Sequence, residues 1–287
     1  MDDGKAARYD RTQEDVGNVV ALEHVNTNIP DQQLATLFYV SGLGLTRDPY
    51  IMTGTDNMWI NAGRTQFHLP TGEPQVVRGV THLVVPDLSA LAARLERVRK
   101  PLQGTHFHVH EASDAIETTS PWGNRIRCRS ADASARFALG IASVEFDVRV
   151  GTARGIAEFY RQVLGALAHT TTDGTHEAAH IAVGIGQQLV FRETSAAHRE
   201  YDGHHIQVYI ADFSGPYDKL RERGLISEES GPHQYRFEDI VDPASGKALF
   251  KLEHEIRSLR HPLCGRPLVN RNPAQTNREY VPGRDAL

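Results

Sequence analysis

Cysteine is scarce: the 287 residues hold only Cys128 and Cys264, 136 positions apart and without a CxxC pattern. That argues against a disulfide framework and against a cysteine-held zinc, and it fits a reducing cytoplasm. Long apolar runs are missing too, none approaching the roughly 20 residues that span a bilayer. Residues 1–18 are polar and mixed in charge, unlike a secretory signal with its apolar core. Positive charge is not in excess: 31 Lys+Arg stand against 36 Asp+Glu, a net charge of -5, so no basic field recruits nucleic acid. No P-loop or nucleophile elbow occurs, and Gly184-Ile-Gly186 lacks the strand–GxGxxG–helix setting of a dinucleotide site.

What the chain does have is histidine, fifteen of them, the side chain that both carries protons near neutrality and most often ligates metals. It also has an internal repeat. Gly79–Leu95 reads as a short apolar strand carrying His82, a Pro-Asp break, and a helix with Leu88, Leu91, Ala92 and Leu95 at helical spacing. The same plan opens at Val20 with His24 and the break Pro30-Asp31, at Val144, and at His205. Four copies about 60 residues apart form a repeat that has to be settled before any motif is read.

After each opening come three strands joined by short turns, so each module reads βαβββ. The expected organisation is an amino-terminal arm (1–18), a first two-module domain (19–130), a second two-module domain (141–257) and a tail (258–287). The small, weakly patterned residues 131–140 serve as the linker. The tail, rich in Pro, Arg and Asn, is expected to wrap a neighbouring subunit or stay mobile, which makes a homodimer the expected assembly.

The four βαβββ openings, the Gly42-Leu43-Gly44 and Val163-Leu164-Gly165 helix ends, and the Ser/Asp-Pro turns before the last strands of modules two and four form a pattern. It resembles the vicinal oxygen chelate superfamily of glyoxalases, extradiol dioxygenases and resistance proteins. The resemblance implies an α+β fold in which four modules pair into two curved mixed-sheet cups. It also implies an enzyme acting on a small-molecule substrate through one divalent ion (Fe, Mn, Ni, Zn or Cu). Ligands would come from the first and last strand of each module, since alternate residues of a curved sheet point into the cup.

Carried over, the resemblance implies His24, His68 and His82 as metal ligands in a cup of modules one and two. Arg127, at a position where a glutamate is usual, would anchor a substrate carboxylate. His82 stands five residues before Asp87, whereas His24 and His205 stand seven before Asp31 and Asp212. That keeps the strand face and shifts the depth. The alternative cup of modules three and four offers Glu145, His205 and Glu253 or Lys251, with Phe191 at a fourth position; a Lys251–Glu145 ion pair could fill it without metal. His106, His108 and His110 alternate along one strand and read as a sheet face, and His204 is expected to point away from His205 into solvent. The implied chemistry is extradiol-like oxygenation or cleavage. The alternatives are glyoxalase-like isomerase or lyase chemistry, and a metal-free binding protein.

Overall fold

The computed structural model describes residues 9–131, 136–276 and 278–279. The arm's residues 1–8, part of the linker and the end of the tail lie outside them. Module one comprises β1 (Val19–Asn26), a helix α1 (Gln32–Ala35) that widens into a π turn over Thr36–Gly42, then β2 (Thr46–Arg47), β3 (Asn57–Ala62) and β4 (Thr65–Pro70). Module two holds β5 (Gly79–Val85), α2 (Leu88–Arg99), β6 (His108–Glu111), β7 (Ile116–Thr119) and β8 (Arg125–Ser130). Module three holds β9 (Gly140–Arg149), α3 (Ala153–Phe159) with a second π turn over Tyr160–Leu164, β10 (Ala168–Thr172), β11 (Glu177–Gly184) and β12 (Gln187–Thr194). Module four holds β13 (His205–Ile210), α4 (Ser214–Glu222), β14 (Ile226–Gly231), β15 (Gln234–Val241) and β16 (Ala248–Ser258). No described helix is long and apolar enough to cross a membrane.

The four βαβββ modules and the two curved mixed sheets stand as expected, but the pairing of modules does not. One eight-stranded sheet runs β14-β15-β16-β13-β1-β4-β3-β2, and the other β10-β11-β12-β9-β5-β8-β7-β6. Module one therefore pairs with module four, and two with three, through the antiparallel pairs β1–β13 and β5–β9. The reason is that all four opening strands carry the same alternation, so local pattern allows any two to meet. Contacts remote in sequence decide. Gly79 is one: a Cβ there would lie 1.7 Å from the Glu145 carbonyl oxygen, so only glycine lets β5 come this close to β9.

The Asp31 and Asp87 carboxylates cap α1 and α2 by accepting backbone N–H groups of the first turn. The helices bury Phe38, Leu91, Leu95, Ile156 and Leu220 against the sheets, within one apolar cluster that spans all four modules. Alternate residues on the opposite faces are left to line the two cups.

The described part of the tail is held in place by polar contacts. It lies on module one of its own chain: Arg266 pairs with Asp48 at 2.7 Å, Asn61 donates to the Val269 carbonyl, and the Asn270 amide bonds both the N–H and the carbonyl of Gly63.

Candidate metal centre

The cup of modules one and four gathers His24 on β1, His68 on β4 and His205 on β13, each with a ligand atom within 4.8 Å of the others'. The strand register explains the convergence. In the antiparallel pair, His24 faces Gln207 and Asn26 faces His205. In the parallel pairs, Asn26 faces His68, and Gln207 faces Glu255. A two-fold exchange of β1 with β13 thus carries His24 onto His205 and His68 onto Glu255. Three of the four equivalent places are imidazoles and the fourth is a carboxylate.

Of the histidines expected to act together, the structure joins His24 and His68 and leaves His82 in the other sheet, beside Arg127 on β8. His205, expected with Glu145, joins the first two instead. Glu145 lies in the second sheet, held bidentately by Arg192 at 3.0 Å through both nitrogens. Lys251 pairs with Glu238, not Glu145, and Phe191 is packed in the core against Phe146. Arg127 pairs with Asp114 and Glu117 at 3.4 Å. His204 is not solvated: it is buried, with Nδ1 2.6 Å from Asp202. His108 and His110 are exposed on β6, while His106, expected on the same strand, lies exposed just before it.

Each of the three imidazoles is fixed by a neighbour. The Glu253 carboxylate lies 3.1 Å from His205 Nδ1. His24 Nδ1 lies 3.4 Å from Glu23, a contact made possible by a β-bulge between Leu22 and His24 that turns two consecutive side chains toward the cup. The Leu22 backbone groups freed by the bulge are satisfied from the other sheet: Leu22 N–H donates to Gln187 Oε1, and Gln187 Nε2 donates back to the Leu22 carbonyl. His68 Nε2 bonds Asn57 at 2.9 Å while its ring stacks on Trp59 at 3.8 Å. Carboxylates and amides on the far nitrogen are the usual means of orienting a metal-binding imidazole.

The electrostatics suit a cation. Burial holds His24 and His205 well below the ordinary imidazole range, and burial followed by the His24 charge lowers His68 to about 2. All three are neutral donors at physiological pH. Behind them runs an alternating chain: Arg236 to Glu253 and Glu255 at 2.5 Å, Glu255 to Arg257 at 2.6 Å, and Arg257 to Glu23 at 3.0 Å. Three carboxylates against two guanidiniums leave one net negative charge when all are ionised. Burial raises the pKa of Glu255, Glu23 and Glu253, opposed by the two arginines. The Glu255 carboxylate reaches within 3.6 Å of His205 Nε2.

The residues of this cup fit a metal ion. Nε2 of His24 and of His205, the side-chain oxygen of Asn26 and both amide atoms of Gln207 are buried without a hydrogen-bond partner. Buried polar atoms are rarely left so without an ion or ordered water to meet them. A divalent ion fits this donor set of neutral imidazoles beside a carboxylate.

Glu23, Glu255, Arg236 and Arg257 escaped the sequence reading. Glu255 alternates with Glu253 in Lys251–Glu255, and only the register of β16 on β13 tells which of the two faces the ligand level. Glu23 precedes a cup residue and by simple alternation should point away; no sequence signal marks the bulge.

No protein-family profile matches the sequence, and no curated protein matches it either. Solved structures do match in fold. A candidate dioxygenase of Bacillus subtilis aligns over 88% of this chain and 91% of its own, at 14% identity and a TM-score of 0.57. Glyoxalase I of Zea mays aligns over 83% and 92%, at 14% identity and a TM-score of 0.55, and a single-residue variant of it over 86% and 95%, at 13% and 0.57. At these identities the likeness shows the architecture alone. The chain has the vicinal oxygen chelate fold, four βαβββ modules in two curved sheets.

Proposed function

We propose that the chain is a divalent-metal-dependent enzyme for a small substrate with two oxygen donors. His24, His68 and His205 would be the ligands and Glu255 the proton carrier. The observation that carries this reading is the trio of neutral imidazoles drawn from two modules, His24 and His205 buried and His68 half-buried, whose ligand atoms lie within 4.8 Å of one another. A bound Fe, Mn, Ni, Zn or Cu ion would supply Lewis-acid polarisation of the substrate oxygens.

The chain's own residues would do the rest. Glu255 is buried and carries a raised pKa, which brings its carboxyl closer to the working pH of a general base. Arg236 and Arg257 each grip one of its oxygens and fix its direction. Trp59 walls the cup and holds the His68 ring flat. A positioned base beside a Lewis-acid site favours redox-neutral proton transfer, the isomerase or lyase chemistry of glyoxalases. Extradiol-like oxygenation is the second reading, since imidazole donors would suit the redox-active iron that such chemistry needs.

The test is elemental analysis of protein purified without added metal or chelator. Stoichiometric metal is expected in the wild type and in His82→Ala, and its loss in His205→Ala. Metal retained by His205→Ala, or none even after reconstitution, would overturn the assignment. On loaded protein, oxygen uptake with catechols would decide for oxygenation and against proton transfer.

A further inference from the structure

The cup of modules two and three has the opposite chemistry. Across its sheet the register places Arg127, His82, Ser143 and Gln188 in one row. A single imidazole stands where the other cup assembles three, and a guanidinium, which cannot ligate a metal, stands beside it. The cup opens into a cavity of about 790 Å³ whose described lining includes Arg127, Arg129, Arg136, Arg161, His169 and His180 and, among the described residues, no aspartate or glutamate. Arg127 and Arg161 are answered by acids outside the cavity. Arg129 and Arg136 are exposed and have no ion-pair partner among the described residues. Phe137 and the half-exposed Leu167 add an apolar wall.

We infer that this second cup is a metal-independent binding site for a small organic oxyanion, a phosphate ester or a carboxylate. Arg129 and Arg136 would grip the anionic head, and Phe137 and Leu167 would receive its apolar body. Four guanidiniums converge on one cavity with no acid among its described walls, which raises the local positive potential, and two of them have no ion-pair partner among the described residues. Guanidinium groups match the bidentate geometry of carboxylate and phosphate oxygens. Ser143 and Gln188 supply neutral donors on the floor. The inference goes beyond the metal centre and does not rest on it, since the two cups belong to different sheets.

Isothermal titration of the full chain with phenyl phosphate, phenylacetate and inorganic phosphate tests it. Saturable binding of one of the two aromatic anions is expected, tighter than that of inorganic phosphate, and the preferred one identifies the head group. The Arg129→Gln/Arg136→Gln variant should weaken it tenfold or more, each lost charge-assisted contact being worth about that much. Both residues are exposed, so the variant should keep the wild-type circular dichroism spectrum. Protein stripped of metal by a chelator should bind as untreated protein does. No saturable binding of either aromatic anion at millimolar concentration, undiminished binding in the double arginine variant, or loss of binding on stripping with the circular dichroism spectrum unchanged would each overturn the proposal.

Discussion

Glu253 offers the sharpest test of how the metal centre is built. Its carboxylate lies 3.1 Å from His205 Nδ1, largely buried, and shares Arg236 with Glu255. If it orients the imidazole and raises its basicity, the Nε2 atom facing the cup is the better donor for it. Losing such a partner typically costs about 10–100-fold in metal affinity. Glu253→Gln keeps the shape and an acceptor oxygen but removes the charge, so about tenfold is expected, or ~1.4 kcal/mol. Glu253→Ala removes the contact as well and should approach about hundredfold. Arg236 keeps Glu255 as partner in both, which limits the cost to folding. Competition for Co(II) against a chromophoric chelator reads the affinity, and the thermal midpoint checks the fold. Wild-type affinity in Glu253→Ala, with the midpoint unchanged, would refute the argument that this carboxylate tunes His205.

Two further outcomes concern the scaffold. His254 is fully buried, with Nε2 2.6 Å from the Tyr160 hydroxyl, and burial lowers its pKa from 6.5 to about 4. The unfolded chain takes up the proton first, so stability present above pH 6.5 is lost as pH falls toward about 4, in total ~3 kcal/mol. Urea midpoints measured across that range should fall less in His254→Gln, and parallel curves would contradict the assignment. Gly79→Ala would set a Cβ 1.7 Å from the Glu145 carbonyl oxygen and force β5 from β9. A loss of ~3 kcal/mol or more is expected by analogy with overpacked cores, and a thermal midpoint equal to wild type would show that the strands can part without cost.

The repeat, the βαβββ order and the alternation of each opening strand are written in local spacing, because helix and strand periodicity depend on near neighbours alone. His24 and His68 could be placed in a cup on that basis, since module one carries both. Which module completes the cup could not be read, because four equivalent strands offer equivalent edges. Contacts across the chain made the choice: Gly79 against Glu145, Gln187 against the Leu22 backbone, and Asn18 against the Leu164 and Asp212 carbonyls. That choice replaced His82 with His205 and separated Arg127 from the imidazoles. Two finer decisions also belong to the tertiary structure. The register of β16 on β13 put Glu255, not Glu253, opposite Gln207, and a bulge in β1 turned Glu23 toward the cup. The sequence alone determined that side chains of this type would line concave sheets. Which of them share a cup was decided by long-range backbone pairing, where a shift of two residues preserves the face and changes the chemistry at a given depth.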